Sequence, residues 1–149
     1  MPNAWTGIRH YTQSTNNYGF DQNCYYCTTA ALLNTDVDTL IYHTEQMQQD
    51  TASATEIVAL FRSVGVSVQY AEFDNEHAAA HFLLQFPNNS AVGFAYTRKN
   101  GSGHMIVAAR DDSAPHRVRF VDYQQNPPTV HVNMGHEPTI VRVLIFFQF

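Results

Sequence analysis

The period of the hydrophobic pattern changes near residue 66, and that change limits the fold more than any other feature. Before it, apolar residues recur every three or four positions, as in Val37, Leu40 and Ile41, which is typical of helices that bury one face. After it, apolar and polar residues alternate in short runs separated by turn-rich segments, which is typical of strands. Helices followed by strands predict an α+β fold with a mostly antiparallel sheet.

Individual helices and strands can be placed within this pattern. Helices are predicted to begin near Asn23, at Thr35 or Asp36, after Ser53, and after Asn75, whose side chain can cap the helix. Strands are predicted over residues 66–73, 91–97, 103–109, 117–123, 129–132 and 139–149. The last strand is the most apolar, so we expect it to lie inside the sheet. Because the chain stops within that strand, residues 1–149 are expected to be a single domain at the C-terminal end of a larger polypeptide.

Charge and cysteine content narrow the classes of partner. The net charge of −5 gives no electrostatic reason to expect a nucleic acid or an anionic membrane as partner. No apolar run reaches about 18 residues, so no membrane span is predicted.

Two cysteines are too few for a disulfide scaffold, and their spacing in a predicted helix suits a bridge poorly. Reduced thiols are therefore expected.

Cys24 lies where a polar segment meets a predicted helix. Unpaired N–H groups and the positive end of the helix dipole favour a thiolate at such a position. Cys27 follows one turn later and is expected to be packed. A structural role for both thiols is the alternative, since free cysteine is among the most buried residue types. The polar residues just before Cys24, Asp21, Gln22 and Asn23, favour the functional interpretation, because an apolar core seldom opens with such a segment.

His104 is the histidine best placed to act as a base. It follows a Gly-Ser-Gly turn and opens a strand, so its backbone is fixed at the edge of the sheet. Asp122 lies on the next strand in an otherwise apolar run, where a carboxylate is costly unless it is paired. Pairing with His104 would meet that cost and fix the imidazole tautomer that a general base needs. An aspartate solvated at the strand end is the alternative.

The sequence also offers candidate hydrogen-bond donors for a transition-state oxyanion. The Cys24 backbone N–H is available at the helix start, and Gln22 or Asn23 could add a side-chain donor. Gln124 could support Asp122 or line the substrate cleft. His131 alternates with two valines and is predicted to face solvent.

Other uses of these residues remain as alternatives. A zinc site could join Cys24 and Cys27 to His77 and His81, although the two pairs are far apart in sequence and structural zinc sites usually have short ligand spacing. A thioredoxin-like redox pair should follow a strand, and this one follows a polar loop. Residues 9–12, RHYT, resemble the opening of some ADP-ribosyltransferases, which need a catalytic glutamate in a late strand. The only late glutamate, Glu137, is predicted in a turn.

Taken together, three short motifs resemble the papain-fold bacterial toxins that act as protein glutamine deamidases, within the papain-like cysteine protease superfamily. The motifs are Asn23-Cys24-Tyr25-Tyr26-Cys27 at a helix start, Gly103-His104 at a strand start, and the strand from Val118 to Gln124. The order of the elements also resembles that of bacteriocin-processing cysteine peptidases. The resemblance implies a papain-like fold in which N-terminal helices, including the nucleophile helix, pack on the sheet.

The same resemblance implies a function. Cys24 takes the place of the nucleophile, His104 that of the base and Asp122 that of the orienting acid, with neither metal nor organic cofactor. Papain's own nucleophile is the second cysteine of a CxxC, so Cys27 remains an alternative nucleophile. The implied activity is deamidation of glutamine in a target protein by a secreted effector acting in the cytoplasm of a target cell, with a cognate immunity protein as a possible partner. Alternatives are a cysteine peptidase, a thioester acyltransferase, and a non-catalytic papain-like module that binds a protein.

Overall fold

The fold is a six-stranded antiparallel sheet with helices on both faces, in a computed structural model that describes residues 3–16, 24–43 and 54–148. The helices are α1 (Cys24–Leu32), α2 (Val37–His43), α3 (Ala54–Ser63) and α4 (Glu76–Leu83). The strands are β1 (Val68–Phe73), β2 (Ala91–Arg98), β3 (Gly103–Arg110), β4 (Val118–Asp122), β5 (Thr129–His131) and β6 (Ile140–Gln148). The α+β prediction is confirmed.

The strand order in the sheet is β1-β6-β2-β3-β4-β5, and every pairing is antiparallel. The apolar strand β6 lies between β1 and β2, so the prediction that it is internal is confirmed. Because β1 is the first strand and β6 the last, their pairing joins residues as far apart in the sequence as Val68 and Gln148. The segment before α1 adds isolated bridges, including one between Trp5 and Ala91.

Alternation along the strands divides the core into two layers. On β3, Met105 and Val107 belong to the layer that contains α1, whereas Ile106 and Ala108 belong to the layer that contains α4. All nine residues of α1 are buried, so this helix has no solvent-exposed face and is held by the sheet beneath it and by the helices around it. Among the described helices, none is long and apolar enough to cross a membrane.

Local signals account for where α4 begins. Asn75 is its N-cap, and its side-chain oxygen accepts a hydrogen bond from the Ala78 N–H at 2.8 Å. This bond satisfies one of the backbone donors that a helix start leaves unpaired. Capping by Asn75, predicted from the sequence, is therefore confirmed. Of α4, Ala79 and Leu83 are buried, while His77 and His81 are exposed.

Candidate active site

Cys24 is the first residue of α1 and lies at the end of a small cavity. Its side chain is almost completely buried, and it lines a cavity of about 220 Å³ together with His104. The position of α1 against the sheet is fixed nearby, because the Thr28 hydroxyl donates to the Met105 carbonyl at 2.9 Å. Met105 directly follows His104 in β3. One hydrogen bond therefore ties the helix that carries the thiol to the strand that carries the imidazole.

His104 and Asp122 form the contact that the sequence predicted. The imidazole Nε2 lies 2.8 Å from Asp122 Oδ2, and the two side chains are 16% and 17% exposed. The other carboxylate oxygen, Oδ1, accepts a hydrogen bond from the Gln124 backbone N–H at 3.0 Å. Asp122 is thus held from two sides, and its bond to Nε2 leaves Nδ1 as the ring nitrogen available to the Cys24 thiol.

The surroundings of His104 favour the imidazolium. Burial by itself would lower the pKa of His104, but hydrogen bonds to Asp122 and to the Cys24 side chain outweigh it and raise the pKa from 6.5 to about 10. The arrangement therefore places a proton donor in the cavity that Cys24 also lines, and a Cys-His pair needs such a donor beside the sulfur.

This shift predicts how stability depends on pH. Because the folded pKa of His104 exceeds its unfolded value, the imidazolium stabilises the fold fully below about pH 6.5 and progressively less as pH rises towards about 10. We expect the difference in unfolding free energy between the parent and H104Q to shrink by more than about 1.4 kcal/mol over that range, the equivalent of one pKa unit. Urea denaturation of both proteins at about pH 6, 8 and 10 measures it; a pH-independent difference would contradict the charged pair.

Cys27 lies deeper than Cys24 and has no access to the cavity. It has no exposed surface, and its backbone carbonyl accepts a hydrogen bond from the Thr15 hydroxyl at 2.7 Å. Burial raises the pKa of the Cys27 thiol, and the neighbouring Cys24 adds to the effect. A neutral thiol packed in this way is a poor nucleophile, so the geometry favours Cys24 for that role.

The remaining predicted site residues have different outcomes. Gln22 and Asn23 lie outside the described residues. Gln124 supports Asp122 through its backbone N–H, and it also lines a second cavity, of about 380 Å³, on the far side of His104. The four candidate zinc ligands do not come together, because His77 and His81 line a separate groove beside α4, away from the two cysteines. Within the described part of the chain, no three potential metal ligands converge.

One prediction about the surface is wrong. His131 was expected to face solvent, yet the flanking Val130 and Val132 are the exposed residues, and the His131 ring is partly buried. It stacks on the ring of His136 with the centroids 3.8 Å apart. His131 lines the second cavity together with His136 and Glu137 from the loop after β5, and this accounts for its partial burial.

A polar cluster beside His104 was not predicted from the sequence. Tyr96, Arg98 and Glu137 line the second cavity with His104, and Glu137 accepts hydrogen bonds from both of the others. Glu137 was considered only as the acid of an ADP-ribosyltransferase. Both of its carboxylate oxygens are occupied, which leaves the structure without support for that role. An arginine two positions after a buried tyrosine on one strand was the available signal, since such residues share a face.

Comparison with known proteins adds an independent observation. The family model described as "Protein YopQ" matches residues 11–128, a segment that includes Cys24, His104 and Asp122. This chain belongs to the YopQ family. That family is of the Yersinia effector type, which supports the prediction of a secreted bacterial effector. A search of curated proteins finds no match to the chain.

Proposed function

We propose that this protein is a papain-like Cys-His-Asp hydrolase that serves as a bacterial effector and converts glutamine in a target protein to glutamate. The observation that carries the proposal is the position of His104, which is hydrogen bonded to Asp122 and lines the same cavity as Cys24. Membership of an effector-type family supports the biological setting.

The proposed reaction has two halves. The Cys24 thiolate attacks the carboxamide carbon of glutamine, and the resulting oxyanion is stabilised at the start of α1, where the Cys24 backbone N–H is a candidate donor. Protonated His104 gives its proton to the amide nitrogen, the C–N bond breaks and ammonia leaves. Neutral His104, still held by Asp122, then takes a proton from water, whose oxygen attacks the thioester carbon. The C–S bond breaks and restores the Cys24 thiolate, and the new carboxylic acid loses its proton to solvent to become glutamate.

The shape of the cavity at Cys24 favours a single side chain as the substrate group. Its volume of about 220 Å³ is below the range of about 300–1,000 Å³ that is usual for small-molecule sites. Apolar walls are contributed by Tyr25, Ile57, Ala95 and Leu144, which can contact the two methylene groups of glutamine. The carboxamide would then reach Cys24. We therefore propose a protein-bound glutamine as the substrate group, because a cavity of this size can hold its side chain.

The arrangement of elements supports the papain-like assignment. A buried helix that begins at the cysteine packs on an antiparallel sheet whose neighbouring strands β3 and β4 carry the histidine and the acid. We therefore propose a papain-like fold on the basis of the three sequence motifs together with this arrangement of helix and strands.

Two other functions are served by the same residues, and their products differ. A cysteine peptidase would cut a backbone amide and give two fragments, whereas deamidation leaves the target intact and adds about one dalton. A transferase would pass the thioester to an amine and add the mass of that amine. A non-catalytic module that binds a protein predicts an unreactive Cys24 and no effect of changing His104.

The proposed partners follow from the proposed chemistry. The substrate is a protein that carries the target glutamine, met in the cytoplasm of the target cell. If the victim is a bacterium, the producing cell needs protection by a cognate immunity protein that blocks the cavity at Cys24. No metal or organic cofactor takes part in the proposed steps.

Alkylation of the thiols tests the proposal without knowledge of the target. We expect iodoacetamide to label Cys24 already near pH 6, at a rate about 10-fold or more above that in H104A, because the imidazolium maintains the thiolate. Cys27 should stay unlabelled in the folded protein. The rates are followed from about pH 5 to 9 and assigned to each cysteine by peptide mass spectrometry.

The matched control is H116A, which removes an exposed histidine from the turn between β3 and β4. It should leave the labelling rate unchanged. Slow labelling of Cys24 that rises only near the pKa of a free thiol, about 8.5, and is equal in H104A would favour the non-catalytic module.

A further inference from the structure

Tyr96 lies directly beside the imidazole of His104. The two residues are cross-strand partners in the β2–β3 pairing, so their side chains are on the same face of the sheet. Their rings meet edge to face, with the centroids 5.8 Å apart and the planes at 79°. Tyr96 is 3% exposed, so its ring is a fixed wall against which the imidazole is oriented.

The phenol end of Tyr96 is anchored by an ion pair. Its hydroxyl donates to Glu137 Oε1 at 3.0 Å. Arg98 donates to both oxygens of the same carboxylate, through Nε at 2.9 Å and Nη2 at 2.7 Å. Two parallel charge-assisted bonds fix the plane of a carboxylate as well as its distance. The Arg98 guanidinium also lies over the Tyr96 ring, 5.3 Å from its centroid.

Glu137 is itself held by the loop between β5 and β6. Its backbone N–H donates to the carbonyl of Met134, a residue with no exposed surface. The end of the loop is tied to the β2–β3 turn, because the Lys99 N–H donates to the Thr139 carbonyl at 2.8 Å. The anchor of Tyr96 therefore rests on a loop that the core and a neighbouring turn both fix.

The charge states of this cluster persist over the range in which the site would work. The hydrogen bonds from Arg98 lower the pKa of Glu137 to about 2. Burial, with the hydrogen bond to Glu137, raises the pKa of Tyr96. A neutral phenol thus donates to a carboxylate from mildly acidic to basic pH, and the anchor does not switch.

We propose that Tyr96 and Glu137 are positioning residues for His104: Arg98 fixes Glu137, Glu137 fixes the phenol, and the phenol ring holds the imidazole in the orientation that faces both Asp122 and Cys24. This inference rests on the proposed function, since that orientation matters most if Cys24 reacts. Neither positioning residue touches the reacting atoms. They act by limiting the rotation of a ring whose two nitrogens must meet two partners at once.

The test compares E137Q and Y96F with a matched control, D111N. E137Q removes the charge with which Arg98 pairs and so weakens the hydrogen bonds from Arg98 to this side chain. Y96F removes the hydroxyl but keeps the ring. The control breaks the Asp111–Arg119 ion pair, whose side chains are 19% and 25% exposed, against 18% and 26% for Glu137 and Arg98. The Asp111–Arg119 pair lies near the end of β3 that is far from His104. It therefore matches the Glu137–Arg98 pair in exposure and charge but not in location.

Two readouts are measured on each full-length variant: the alkylation rate of Cys24 at neutral pH and the NMR titration of the His104 ring. We expect E137Q and Y96F each to slow alkylation about 10-fold, as for a misoriented catalytic group. The His104 titration midpoint should fall by about one pH unit towards that of free histidine, because its bonds to Asp122 and Cys24 weaken. D111N should change neither.

Parental His104 titration in both E137Q and Y96F would overturn the inference, even if their thermal stability falls, because a purely structural role lowers stability without moving the ring. If Cys24 of the parent reacts no faster than it does in H104A, the proposed function fails. The His104 titration still decides the inference in that case, because it reports ring orientation and charge without any turnover.

Discussion

Replacement of Cys24 by alanine is expected to abolish the one-dalton gain on the target protein and the toxicity that follows from it. Cys24 is the thiol that lines the cavity together with His104. Without it no thioester can form, and turnover should fall by about 10⁴-fold or more, as when the nucleophile of a triad is removed. Intact-mass spectrometry of the target, taken from cells that express the parent or the variant, measures this.

C27A is the matched control for this experiment. It removes a thiol from the same helix one turn away, at a position with no exposed surface. A loss of stability of about 1 kcal/mol is expected from the small cavity that is left, with deamidation retained. Full activity in C24A together with its loss in C27A would transfer the nucleophile to Cys27. Target fragments instead of a mass gain would identify a peptidase.

Substitutions of Asp122 are expected to separate the effect of its charge on His104 from the effect of its hydrogen bond. D122A removes both the charge and the hydrogen-bond acceptor, and should lower turnover by about 10³-fold or more. D122N keeps an oxygen that can accept from Nε2 but removes the charge, so a smaller loss is expected. Because the hydrogen bond and charge of Asp122 raise the pKa of His104, the pKa of His104 should fall in D122N.

The sign of that change sets the pH profile. Activity that needs the imidazolium declines as pH rises through the pKa of His104, so the alkaline limb of the rate profile should move to lower pH in D122N. Rates measured from about pH 5 to 10 show the movement, and D112N, which changes an exposed carboxylate near the far end of β3, should leave the limb in place. An unmoved limb in D122N would mean that Asp122 does not control the charge of His104.

Much of the fold could be predicted because its signals are local. The cap at Asn75 and the alternating strands each depend on neighbours within a few residues, so their order and type follow from the printed sequence. The internal position of β6 followed from its composition, since an apolar strand must be covered on both sides. The facing direction of His131 was mispredicted, because alternation gives two faces without saying which of them the loop after β5 covers.

The pairing of His104 with Asp122 was also within reach of the sequence. A hairpin connects their strands, and a carboxylate in an apolar run needs a partner. Tyr96 and Glu137 were not within reach. Tyr96 faces His104 only because of the β2–β3 register, and Glu137 joins them only because the loop from β5 returns across the sheet.

The chemistry available to this chain was already present in its residue types and their order: a thiol at a helix start, an imidazole after a glycine turn and an acid on the next strand. Such features are specified by short segments, and local interactions are enough to place them. Which thiol meets the imidazole, and which neighbours hold that imidazole still, depended on contacts between residues far apart in the chain. Those contacts are set by strand register and by the packing of α1 on β3, which exist only once the sheet has formed.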